Sequence, residues 1–158
     1  MDDAVLAELY YRTTLELADG GGTVWKITPT DTEPDNPEAL LSPYTDAFIL
    51  TAENPESSGR NTADDNAQAT SSLQSELETL GVVYRACPGY GFDVNHVEQG
   101  FALLADQTNR DQIRKIALDF ATRYRQNAIF HLHAGGLSII GALRARMTGD
   151  RPVRVDRA

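Results

Sequence analysis

The sequence predicts an α+β fold, and three observations carry that prediction. Short apolar runs suited to strands come in neighbouring pairs. Only two stretches, 62–80 and 110–125, sustain a helical period, and the chain has no internal repeat of a strand–helix unit. We therefore expect a single domain over residues 1–143. It should hold a mainly antiparallel or mixed sheet of about five to seven strands, with two or three long helices packed on it. A basic C-terminal tail, 144–158, should follow.

Each element has its own reason. Residues 2–12 read as a helix with Val5, Leu6, Leu9 and Tyr10 on one side. TTLELADGGGTVWKI reads as two strands joined by a permissive turn at Gly20–Gly22. TPTDTEPDNPEALLSPYTD holds four prolines and reads as a surface loop. AFILTA, 47–52, is a continuous apolar run, as an internal strand would be. Thr62 and Asp65 then form a capping pair for a helix whose stripe is Ala69, Leu73, Leu77 and Leu80, closed by Gly81. VVYRA reads as a short strand, CPGYGFD as a loop, and VEQGFALLA as a further strand. Asn109 with Gln112 starts a second helix, striped by Ile113, Ile116, Ala117, Phe120, Ala121 and Tyr124. AIFHLHAGGLSIIGAL closes the domain as a hairpin over Gly135–Gly136.

Charge and composition exclude whole classes of function. A net charge of −9 argues against general nucleic-acid binding, which needs a basic face. Beyond Leu143, five arginines against two aspartates leave +3 on the tail and −12 on residues 1–143. That tail can dock on its own domain, on a partner, or stand free in solvent. No apolar run approaches the roughly 20 residues of a membrane span, and the acidic start does not resemble a signal peptide. A cytoplasmic location is the expectation, and a lone Cys87 agrees with a reducing compartment. Exposed hairpin edges leave a homo-oligomer open.

The stretch from Thr51 to Asn66 contains no Val, Leu, Ile, Met or aromatic residue, yet its asparagines fall at telling places. Asn66 lies seven residues before Leu73, on the same helical face, and Asn127 lies seven beyond Phe120. Each continues an apolar stripe at an element end, where an amide must find a partner or cost on the order of 1–3 kcal/mol. Asn54 follows the strand 47–52, Gln126 adjoins Asn127, and Glu98 adjoins the apolar run 101–105. Two readings stand: a hydrogen-bonded network that pins the loop to the helices, or a ligand pocket that uses the same groups. Under either, segment 53–61 should fold back over the start of the helix near Thr62. Gln126–Asn127 should then lie within about 10 Å of Asn54 or Asn66.

TAENPES, Asn66 with Leu73, VEQGFALL and YRQNAIF together resemble a bacterial family known as domain of unknown function 3293. Its pattern reads TA-x-NP-x-S, an N-x-x-R-x-x-x-L helix, a strand with E-E-S, and F-G-Q-N-A-I. The resemblance covers most of residues 8 to 143. It implicates Thr51, Asn54, Pro55, Ser57, Asn66, Glu98, Gln126, Asn127 and Ala128. This chain departs from the pattern at Ala69 for Arg, at Gln99–Gly100 for Glu–Ser, and at Tyr124–Arg125 for Phe–Gly. The family carries no known chemistry, so the resemblance implies no cofactor and no reaction.

Other chemistry is thinner. His96 with Glu98, and His131 with His133, are each spaced to share a strand face. Two such strands side by side would offer three imidazoles and a carboxylate to zinc, iron or manganese. The competing reading makes HLHAGG the polar face of a hairpin, with Phe130 and Leu132 in the core. Cys87 precedes a proline, so no helix N-terminus follows to activate its thiol. The expected function is thus a binding or interaction module, with a partner that is a small molecule or a protein. An enzyme or small-molecule binder built on Asn54, Ser57, Asn66, Glu98, Gln126 and Asn127 is the alternative.

Overall fold

The structure is a computed structural model that describes residues 1–57, 60–91 and 97–158, and only the backbone of Ser57. Its α+β architecture contains two antiparallel sheets where the sequence suggested one. The elements run α1 (Asp3–Tyr10), β1 (Thr14–Ala18), β2 (Val24–Pro29), α2 (Glu38–Leu41), β3 (Asp46–Thr51) and a short 3₁₀ turn (Pro55–Ser57). Then come α3 (Ala63–Leu80), β4 (Tyr84–Ala86), β5 (Gly89–Tyr90), β6 (Val97–Glu98), β7 (Gly100–Ala105) and α4 (Arg110–Arg123). The chain finishes with β8 (Ala128–His133), β9 (Gly136–Gly141), β10 (Thr148–Arg151) and β11 (Val153–Arg157). Among the described residues, no helix is long and apolar enough to cross a membrane.

One sheet has the order β10-β9-β8-β3-β7-β4, the other β11-β2-β1-β5-β6. β3 and β7 are buried on both faces, which is why AFILT and GFALLA read as unbroken apolar runs. One face of that sheet presents Phe48, Leu50, Phe101, Leu103 and Ile129 to Leu73 and Leu77 of α3 and to Ile113, Ala117 and Phe120 of α4. The opposite face presents Ile49, Leu104, Phe130 and Leu132 to α1, α2 and the second sheet, through Leu6, Leu41, Leu15, Leu17 and Ile27. The result is three layers: two long helices, the six-stranded sheet, and the five-stranded sheet with two short helices.

The long helices follow the expected stripes. Thr62 accepts from the Asp65 N–H at 3.1 Å while the Asp65 carboxylate takes the Thr62 N–H, and Gly81 ends α3 in the left-handed region at φ 70°. α4 begins differently. Asn109 gives no side-chain cap; its Oδ1 turns back to the Asp106 N–H at 2.9 Å. In α1 the buried residues are Leu6 and Ala7, and the helix leaves Val5 and Leu9 largely exposed.

Three further corrections share a cause: tertiary pairing recruits segments that have no local period. The proline-rich stretch contains α2, whose Leu40 and Leu41 are buried in the core. VEQGFALLA breaks at Gln99, with β6 in one sheet and β7 in the other. The last stretch, expected as a tail, forms β10 against β9 and β11 against β2. Its arginines meet the acidic first helix: Arg144 pairs with Asp3 at 3.1 Å and Arg151 with Glu8 at 2.6 Å. The chain therefore passes between the sheets four times, through the α2 segment between β2 and β3, at Cys87–Pro88, at Gln99 and at Pro152.

Candidate functional site

The loop after β3 is built around the crossing at Gln99. Thr51 Oγ1 donates to the Gln99 carbonyl at 2.8 Å and accepts from the Glu53 N–H at 3.0 Å. The Glu53 carboxylate in turn takes the Gln99 N–H at 2.5 Å, so both backbone groups of the break between β6 and β7 are held. Glu53, Asn54, Gln126 and Asn127 are all buried.

Asn54 is the hub. Its backbone N–H donates to Asn66 Oδ1 at 3.0 Å, and its side-chain oxygen accepts from Asn66 Nδ2 at 3.2 Å. Its own Nδ2 donates to Glu98 Oε1 at 2.6 Å. Asn61 adds a bond to Asn66 Oδ1 at 3.2 Å. The described part of segment 53–61 thus folds back on the first turn of α3, as the need to satisfy Asn54 and Asn66 requires. Gln126 Nε2 reaches the same loop, donating to the Glu53 carbonyl at 3.0 Å. Asn127 serves the neighbouring turn, where its carbonyl accepts from the Ala142 and Arg144 N–H groups. Ser57 lies in the 3₁₀ turn, and Ser58–Gly59 fall outside the described residues.

Among the described residues, three other than glycine hold positive φ: Asn54 at 48°, Glu56 at 55° and Arg125 at 56°. Such backbone costs on the order of 1–3 kcal/mol per residue unless its surroundings impose it. Glu56 and Arg125 impose it on each other. The Glu56 N–H donates to the Arg125 carbonyl at 2.7 Å, while Glu56 Oε2 receives Arg125 Nε and Nη2 at 3.1 and 2.8 Å. Sequence reasoning missed Glu53, Glu56 and Arg125, although Arg standing at a glycine of the resembling pattern pointed to a left-handed position.

The amide cluster opens onto a cavity of about 280 Å³ between α1, β5 and the six-stranded sheet. Asn54, Glu98 and Gln126 form its polar end, and its walls include Leu6, Leu15, Ile49, Ala128 and Phe130. Cys87 also lines it, with its thiol pushed up to about 12 by burial and then by Glu16, so it is protonated and inert as a nucleophile at neutral pH. Gly100 borders it too. A Cβ there would lie 2.8 Å from the Cys87 carbonyl oxygen and 3.0 Å from that of Leu50, so in this chain a side chain at 100 would force the backbone of the crossing to shift.

The histidines go elsewhere. His131 Nε2–H donates to Asp46 Oδ1 at 2.7 Å and its ring stacks on Phe48 at 4.5 Å, on the helix side of the sheet. Burial holds the His131 pKa below its ordinary value against the pull of Asp46. Burial also presses Asp46 upward, but bonds from Thr45, His131 and Arg110 outweigh it and hold the carboxyl below its ordinary value. Glu98 lies beyond the opposite, Thr51, end of β3 and is engaged by Asn54. His96 lies outside the described residues. Among those described, no group of three or more His, Cys, Asp or Glu could hold a metal ion.

His133, Ser138 and Asp150 do meet, but the proton runs the wrong way for nucleophilic catalysis. His133 Nδ1 accepts from the Gly135 N–H at 3.1 Å, which puts the ring proton on Nε2. Nε2–H then donates to Ser138 Oγ at 2.7 Å, and the hydroxyl donates to Asp150 Oδ1. An imidazole in that tautomer cannot take the serine proton.

A family model described as a protein of unknown function (DUF3293) matches residues 50–129, and the chain belongs to that family. The matched span begins in β3 and ends in β8, so it contains the whole amide cluster and leaves out β10 and β11. No curated protein and no solved structure matches the chain.

Proposed function

We propose that this member of the family binds a small, largely apolar molecule in the cavity between its two sheets, with Asn54, Glu98 and Gln126 orienting the polar end. One observation carries the reading: the amides and the acid that mark element ends in the sequence converge on one rim of an apolar cavity. Binding sites have that composition, mostly apolar walls with a few fixed polar groups. Asn66, Asn127 and the Glu56–Arg125 pair act as supports. Asn66 secures Asn54 through both its backbone and its side chain, Glu56 and Arg125 bond to each other, and the Asn127 carbonyl holds the turn at Ala142–Arg144. A cavity of about 280 Å³ is just under the roughly 300–1,000 Å³ of drug-sized sites, so the ligand is small.

A thermal-shift screen of metabolites tests the reading, read beside Ala128→Leu, which fills the cavity from β8. At a hundredfold excess over Kd a ligand stabilises by about 2.7 kcal/mol, a shift of several degrees. The shift should vanish in Ala128→Leu; hits that shift both proteins equally place binding elsewhere and refute the proposal.

A further inference from the structure

We infer that the cavity selects an amine, carried on a compact apolar body, with the Glu98 carboxylate as its counter-ion. This inference rests on the binding reading above and adds the charge of the ligand. Glu98 is the one acidic side chain among the described lining residues, and no lysine or arginine stands among them. An anionic ligand would meet that carboxylate with no cation among the described lining residues to offset it. A neutral apolar ligand would strip water from that carboxylate and give nothing back. An ammonium supplies both the charge and the hydrogen-bond donors.

The acid is also aimed. Glu98 is partly buried, and its Oε1 accepts from Nδ2 of Asn54, whose Oδ1 accepts in turn from Asn66 Nδ2. The apolar walls add Tyr10, Tyr90 and Phe130, with the Tyr10 and Phe130 rings 5.5 Å apart. Aromatic faces attract ammonium groups when water is excluded. The net charge of −9 steers cations toward the molecule as a whole.

The test is isothermal titration calorimetry with two isosteric trios: 2-phenylethylamine, 2-phenylethanol and phenylacetate, then hexylamine, hexanol and hexanoate. The amine of a trio should bind roughly tenfold to a hundredfold more tightly than its alcohol, with the carboxylate weakest. Glu98→Gln should bring the amine down to the level of the alcohol, and the wild-type series decides the matter even where that variant does not fold. Amine and alcohol binding equally, or a preference for the carboxylate, overturns the inference and leaves the cavity reading standing. No binding by any of the six, with Ala128→Leu indistinguishable from wild type, overturns both.

Discussion

The two ends of β3 bury polar groups in opposite ways. At its Asp46 end a carboxylate is closed off by burial and by three donors: Thr45, His131 and Arg110 all bond to it, and its side chain is only 4% exposed. At its Thr51 end the groups are chiefly amides, whose donors and acceptors lock one another in place while Asn54, Glu98 and Gln126 still border a cavity. A saturated ionic cluster anchors a strand to a helix. A network of uncharged amides can hold a shape and keep a wall free for binding, because an amide satisfies its neighbour without cancelling a charge.

The comparison breaks most sharply at the ionic end. Asp46→Ala removes the acceptor shared by Arg110 and His131 and should cost about 3 kcal/mol. For a chain of this length that lowers Tm by roughly 6–12 °C in calorimetry. Asn66→Ala comes next, since it strands the Asn54 N–H and oxygen. About 2 kcal/mol should be lost, a drop of roughly 4–8 °C, and ligand binding in the cavity should weaken with it. An unchanged Tm in Asn66→Ala would show that the amide network does not hold the loop.

Acid sharpens the contrast further. Folded His131 binds its proton less readily than the unfolded chain does, so stability declines as pH falls below the ordinary 6.5 toward its lower folded value. Asp46, also lowered, contributes stability above its ordinary 3.8 that is lost as pH falls on through its folded value. Urea midpoints from pH 8 to pH 3 should show both declines. His131→Gln should flatten the first, and Asn66→Ala should leave it intact. The smallest effect belongs to Arg125→Gly. It relieves a left-handed residue at φ 56° but gives up an ion pair whose side chains are more than half exposed, so stability should move by less than about 1 kcal/mol. Arg125→Val, β-branched in the same conformation, should instead cost on the order of 2 kcal/mol; equal stabilities for the two would contradict a backbone-dictated role.

The same two ends show what the sequence makes legible. Asn66 and Asn127 announce themselves because a polar residue continues a helical stripe, Gln126 by adjoining Asn127, and period is a property of the chain alone. Asp46 gives no such signal: it closes a proline-rich stretch, and its partners lie 64 and 85 residues away. β5 and β6 are two residues each, too short for any alternation to register. β11 reads VRVDR, a basic solvated segment by composition, yet pairing along β2 turns Val153 fully into the core. The cavity was hidden for a related reason, since its walls come from α1, β5, β6 and β8, and no local pattern encodes their meeting.

The strand pair β2–β11 also sets a clock. Trp25 stands opposite Arg157, so the five-stranded sheet is completed by a contact across more than 130 intervening residues. Closing so long a loop is entropically costly and repaid only once the rest of the sheet exists, so we expect it late in folding. Trp25 is the one tryptophan in the chain, and its indole N–H is fixed to Asp19 at 2.9 Å on the same sheet. Its fluorescence during refolding should therefore follow the β1–β2 hairpin and then β11, and truncating β11 should remove only the slow part of that signal.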